Sequence, residues 1–133
     1  MSNIEIKDVL LVSTLKSMPA NPVALGDLAR ICDETFGGCN IHLAADIETA
    51  EKEISLKIEF QIIVVAYKVG ECVTTDFIET ARDKFPDAHI IAYSTVKAHE
   101  KIMLDAGCDE WTGPHKIETA LCSAPGRLCG LFK

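Results

Sequence analysis

Apolar residues in this chain gather into short compact runs, each followed by a stretch with helical spacing. Asp8-Val9-Leu10-Leu11-Val12, preceded by Ile4 and Ile6 in alternation, predicts a first strand ending at Ser13-Thr14. A loop rich in turn formers follows from Leu15 to Asn21, and Asn21-Pro22 reads as an N-cap with proline at the first helical position. Leu25, Leu28, Ala29, Cys32 and Phe36 recur at helical spacing and predict a first helix to about Phe36. Gly37-Gly38 stops it by allowing a left-handed residue after the last turn. Cys39-Asn40-Ile41-His42-Leu43-Ala44 predicts a short second strand, and Asp46 the cap of a second helix with Ile47, Ala50 and Ile54 inward.

The most apolar run is Gln61-Ile62-Ile63-Val64-Val65-Ala66-Tyr67. Five consecutive aliphatic residues, four of them β-branched, predict a strand buried on both faces at the centre of a parallel sheet. Gly70 marks the next loop. Thr74 or Thr75 is expected to cap a third helix with Phe77, Ile78, Ala81 and Phe85 inward, closed by Pro86. Ala88 to Tyr93 predicts the fourth strand, ending at Ser94-Thr95. A fourth helix is expected from about Val96 to Ala106, with Ala98, Ile102, Met103 and Ala106 inward and Gly107 as its stop. Asp109 to Thr112 predicts the fifth strand. His115 to Cys122 begins a fifth helix with Ile117, Ala120 and Leu121 on its apolar side, which Pro125-Gly126 should interrupt. Strands alternating with helices through five rounds predict an α/β domain, a parallel sheet covered on both faces. The expected division is a domain over 1–122 and a tail, or broken extension of the last helix, over 123–133.

Ligand chemistry in such a sheet lies beyond the carboxyl ends of the strands. The residue leaving the central strand therefore matters most, and it is Ala66. An alanine can neither accept a proton, ligate a metal nor be phosphorylated.

Composition narrows the function classes. At 133 residues, 48% hydrophobic and 25% charged, the chain has the content of a globular domain and not of a disordered one. Net charge is -7 from 13 basic and 20 acidic residues, with no run of Lys and Arg, which disfavours a nucleic-acid partner. The longest apolar run falls far short of the ~20 residues that span a bilayer. Met1-Ser2-Asn3-Ile4-Glu5 has neither the basic region nor the apolar core of a signal peptide, so a cytoplasmic location is expected. The six cysteines, Cys32, Cys39, Cys72, Cys108, Cys122 and Cys129, form no Cys-x-x-Cys pair and read as free thiols packed as small apolar groups.

Four stretches carry a family likeness: Val9-Leu10-Leu11-Val12; His42-Leu43-Ala44-Ala45-Asp46-Ile47-Glu48-Thr49-Ala50; Phe85-Pro86-Asp87-Ala88-His89-Ile90-Ile91-Ala92-Tyr93-Ser94; and Ala106-Gly107-Cys108-Asp109-Glu110-Trp111-Thr112-Gly113-Pro114. In this order and spacing, over roughly Asp8 to Leu121, the chain resembles a bacterial two-component receiver domain. The resemblance implies a five-stranded parallel, flavodoxin-like sheet of order 2-1-3-4-5 with five helices. It also implies phosphotransfer from a histidine kinase to an aspartate. That reaction needs two acids after strand one to hold a divalent cation and a third after strand three as nucleophile. A lysine before a proline joins the cation in neutralising the phosphoryl charge.

Carried over residue by residue, the acidic pair falls on Ser13 and Thr14, the nucleophile on Ala66 and the lysine on Gly113. Hydroxyls alone are poor ligands for a hard dication. Ser94 stands in the place of the hydroxyl that bonds the phosphoryl group, and Trp111 in that of the aromatic that changes rotamer on activation. Both residue types also end strands and fill cores for purely structural reasons. Pro114 matches as well, and the family's Lys-Pro implies a cis Gly113-Pro114 bond. Lys116 or Lys68 would have to replace the missing lysine.

The resulting expectation is a degenerate receiver, a signalling module that binds partners and accepts no phosphate on aspartate. No enzymatic activity, metal or cofactor is expected. The partner would be a histidine kinase or another regulator, with neither nucleic acid nor membrane involved, and the chain a monomer or weak homodimer. By resemblance the partner surface is helix four, strand five and helix five, around Lys97, Lys101, Trp111 and Lys116. The alternative is a flavodoxin-like small-ligand or anion-binding protein. Its crevice would use Ser13, Thr14 and Ser94 with strand-end amides, and Lys16 and Lys68 nearby. A third reading is a thiol redox sensor through Cys122 and Cys129. Cys122 to Arg127 is one residue short of a phosphatase loop, and His115, Cys122 and Cys129 lack the short pairs of a structural zinc site. His42, His89 and His99 lie on separate elements. Gly37-Gly38 follows a helix and makes no phosphate loop, and the Asp-x-His-x-x-Gly signature of a cobalamin module is missing.

Overall fold

The computed structural model describes residues 6–16 and 22–128. The expectations for Ile4, Asn21, Cys129 and the last residues lie outside that range. Five parallel strands form the sheet: β1 (Asp8–Val12), β2 (Asn40–Ala44), β3 (Ile62–Ala66), β6 (His89–Tyr93) and β7 (Glu110–Thr112). Their order is β2-β1-β3-β6-β7. The labels β4 (Lys68–Val69) and β5 (Cys72–Val73) belong to a separate antiparallel hairpin, so the sheet has the predicted order 2-1-3-4-5. Every residue of β3 and β6 is buried, because both faces are covered and continuous aliphatic runs can face helices on either side. Each fully buried Leu, Ile or Val there contributes about 1.5–3 kcal/mol.

The register levels the strand ends. Val12 pairs with Ala44 and Val65, Ala66 with Tyr93, and Tyr93 with Thr112, so the chain leaves all five strands along one rim.

Five helices cover the sheet: α1 (Leu25–Phe36), α2 (Ile47–Ile54), α3 (Thr75–Lys84), α4 (His99–Ala106) and α5 (Ile117–Leu128). Gly37 and Gly38, at φ 53 and 79, end α1 in the conformation that only glycine takes without strain. Asp46 caps α2, accepting the Thr49 N–H at 2.7 Å, and these Thr49 contacts hold its carboxyl below the usual range.

Five details differ from expectation. The α1 helix starts three residues after Pro22. Its first turn is set instead by Asp27, which accepts the Ala24 N–H at 3.2 Å, and by Leu25, whose N–H donates to Thr14 O at 2.9 Å. The hairpin β4–β5 was missed, since strands of two residues leave no periodicity. The α4 helix is shorter than expected and turns Ala98 and Ile102 outward, Ile102 being 45% exposed. His99, Met103 and Ala106 fall within about 60° of arc at about 100° per residue, and that narrow stripe is the face used. Pro125 does not interrupt α5: Ala120, Leu121 and Ala124 are buried on its inner side and carry it past the missing proline N–H. The Gly113-Pro114 bond is trans.

The amino ends of the strands form a dense ionic layer. Arg82 of α3 donates through Nε to Gly107 O at 2.9 Å and through Nη1 to Pro86 O and Ala88 O at 2.9 Å each. Its Nη2 pairs with Asp109, whose carboxylate also accepts the Ile90 N–H at 2.8 Å. His89 lies 2.7 Å from Glu110 Oε1. His42 sits between Asp8 and Glu53, 3.1 Å from each, with the Phe60 ring edge-on. Among the described residues, no helix is long and apolar enough to cross a membrane.

Candidate functional site

The chain leaving β1, β3 and β6 encloses a crevice of about 350 Å³ over the carboxyl rim. Thr14, Ala66 and Ser94 line it, as the sequence placed them, together with Lys68, Tyr67 and His99. Ala66 lies in its wall and is 2% exposed. Ser13 does not reach the crevice. Its side chain is fully buried, and Ser13 Oγ, Tyr93 Oη and Val23 O form a triangle with sides of 2.5, 2.7 and 3.1 Å. Two hydroxyl hydrogens serve three short contacts there, which commits Ser13 to the protein and removes it as a donor to an anion. Tyr93 escaped the sequence reading, although a tyrosine ending a buried strand needs a partner for its hydroxyl.

Thr14 is half-buried and donates to Lys16 O at 2.9 Å. Ser94, 7% exposed, donates to Val96 O at 3.0 Å and accepts the Trp111 indole N–H at 3.1 Å. The two residues singled out as switch-like are thus bonded to one another. Lys97 lies 5.2 Å from the Trp111 ring centre and also pairs with Glu100. Gly113 stands outside the crevice, with Trp111 and Pro114 along an adjoining groove of about 570 Å³. A Cβ at Gly113 would come within 2.9 Å of the exposed His115 ring, which would have to turn aside to admit the lysine of the receiver pattern. Lys68 is the lysine at the crevice; Lys16 and Lys116 are exposed outside its lining, and Lys101 is exposed beside Asp105.

The hairpin builds one wall of the crevice. Its base is clasped by Thr74, fully buried, whose hydroxyl reaches Ala66 O at 2.7 Å and Tyr67 O at 3.0 Å. The side chain expected to cap α3 is used instead to hold the exit from β3. From that exit the Tyr67 ring lies flat on the His99 ring, centroids 3.6 Å apart and planes 10° from parallel. His99 Nδ1 is sealed from solvent there and has no hydrogen-bond partner among the described residues. An unmet buried polar atom of this kind costs about 1–3 kcal/mol. No local signal joins the two residues, because the contact bridges the loop after β3 and the start of α4.

Chemically the rim carries hydroxyls, aromatic rings and one alanine, with Lys68 the one lysine and Glu71 the one carboxylate lining the crevice among the described residues. Among those residues no group of three His, Cys, Asp or Glu could hold a metal ion. The thiols of Cys32 and Cys108 are pushed up to about 12, mainly by burial. Cys72 and Cys122 are free and exposed.

No family model matches the chain, and no curated protein does. Solved structures do. A response regulator from Burkholderia pseudomallei, crystallised with a phosphorylated aspartic acid, calcium ion and citrate, is 22% identical with a TM-score of 0.73, over 94% of this chain and 70% of that one. A receiver domain from Aquifex aeolicus is 19% identical with a TM-score of 0.69, over 93% and 99%. A CheY-like receiver domain from Methanospirillum hungatei is 17% identical with a TM-score of 0.66, over 92% and 98%. This chain therefore has the fold of response-regulator receiver domains.

Proposed function

We propose that the chain is an atypical receiver-like signalling module that acts through protein–protein contact, without phosphorylation of an aspartate and without enzymatic activity. The observation that carries this reading is the chemistry at the end of β3. Where the receiver pattern needs a nucleophilic carboxylate there is Ala66, 2% exposed, and the acid positions beside it hold a committed Ser13 and a Thr14 turned to Lys16 O. The Burkholderia pseudomallei protein carries a phosphorylated aspartic acid and a calcium ion. By the receiver resemblance, the positions for the nucleophile and for carboxylates that attract such an ion are held here by Ala66, Ser13 and Thr14, which supports the reading.

Signalling would then run through a docked partner, a histidine kinase or another regulator in the cytoplasm. The surface for it is α4, β7 and α5, where Lys97, Lys101 and Lys116 are exposed around the partly buried Trp111. Incubation with acetyl phosphate and magnesium followed by intact-mass measurement tests the reading. An unchanged mass is expected, and a stable adduct of one phosphoryl group overturns it.

A further inference from the structure

We propose that the crevice over Ala66 binds a small planar aromatic carboxylate, admitted when the Tyr67 ring swings off His99. At about 350 Å³ the crevice falls in the size range of ligand pockets, about 300–1,000 Å³. Ala66, Tyr93 and Val96 give it apolar walls. The polar groups that await a partner are few and convergent. Among the described residues His99 Nδ1 is buried and unbonded, and Lys68, on the same crevice, makes no ion pair. A carboxylate oxygen can accept from both an imidazole N–H and an ammonium, and a flat ring suits the space that a stacked aromatic pair defines. Glu71, exposed at the hairpin turn, stands against a multiply charged anion such as phosphate.

Tyr67 is built to move without unfolding anything. Its backbone is pinned on both sides, the N–H donating to Tyr93 O at 3.0 Å and the carbonyl accepting from the Thr74 N–H at 2.9 Å. Its half-buried side chain makes no hydrogen bond to a described residue and is stacked on His99. Rotation about the side-chain torsions alone would uncover His99 on the crevice side, and the carboxylate would then approach Nδ1 in the plane of the imidazole, with the ligand ring beside His99 rather than on its face.

The proposal does not rest on how the module signals, and phosphoryl transfer would leave its test unchanged. The experiment is a titration of the isotope-labelled full chain with benzoate, followed by backbone amide and histidine side-chain nitrogen shifts. Benzyl alcohol and inorganic phosphate serve as the uncharged and non-aromatic comparisons. Saturable shifts at Ala66, Tyr67, Lys68 and His99 are expected with benzoate, at least about tenfold tighter than with either comparison. His99→Phe, which keeps a stackable ring and removes Nδ1, and Lys68→Met, on an exposed site, should each weaken benzoate about fivefold or more. Absence of saturable shifts at millimolar benzoate, equal binding of phosphate, or undiminished affinity in the folded variants overturns the proposal.

Discussion

The two ends of one sheet are built on opposite principles. At the amino ends of the strands, charged and polar side chains are gathered and bonded to one another: Arg82 to Asp109 and to the carbonyls of Gly107, Pro86 and Ala88, His89 to Glu110, His42 to Asp8 and Glu53. At the carboxyl ends, where ligand chemistry belongs in this architecture, the residues are mainly hydroxyls, rings and Ala66, and one buried nitrogen lacks a partner among the described residues. Bonds between charged side chains fasten elements together at the amino end. The end that would do chemistry by analogy is held mainly by hydroxyl and indole hydrogen bonds and is partly open.

If that division is real, the largest loss should come from the ionic end. Replacing Arg82 with Met takes the guanidinium from Asp109 and strands the carbonyls of Gly107, Pro86 and Ala88, at a cost of about 3 kcal/mol. Urea unfolding should show it as a lower midpoint with an unchanged slope. A loss below about 1 kcal/mol would mean that the network is decorative.

Ala66→Asp moves a charge to the carboxyl end and should cost somewhat less, about 2 kcal/mol at neutral pH. Burial raises the folded pKa of the new carboxyl above its unfolded value of about 3.9. The part of the cost that comes from ionisation is therefore absent below the unfolded pKa, grows as pH rises toward the folded one, and is constant above it, on top of a pH-independent cost of fitting the protonated side chain. The same variant should gain no phosphoryl group from acetyl phosphate, because Ser13 and Thr14 still supply no carboxylates for a cation. Phosphorylation of this single variant would show that the pocket needs only its nucleophile.

The smallest effect concerns the thiols. Cys32 and Cys108, both near 12, should resist iodoacetamide at pH 8 while Cys72 and Cys122 react at rates typical of exposed thiols. Native mass spectrometry counts the adducts, and early modification of Cys32 would place a local opening within α1.

The sheet could be read from the chain because its strands announce themselves locally. Val9 to Val12 and Ile62 to Ala66 are unbroken aliphatic runs, and their parallel pairing follows from the helices between them. The site was harder. Thr74 looked like a cap and is a clasp; Ser13 looked available and is bonded to Tyr93; His99 looked isolated and lies under Tyr67. Each of these depends on where a side chain meets a segment distant in sequence, and neither periodicity nor residue type encodes that. The outward turn of Ile102 has the same origin, since which stripe of α4 is inner depends on the stacked His99.

Trp111 is the only tryptophan in the chain, and its indole N–H is bonded to Ser94, a residue that lines both the crevice and the neighbouring groove. The protein thus has a single indole fluorophore, excitable apart from its two tyrosines and fixed to a party wall. An occupant on either side that disturbs Ser94 changes the polarity around the same excited indole, so emission colour and lifetime offer a label-free reading of two surfaces through one lamp.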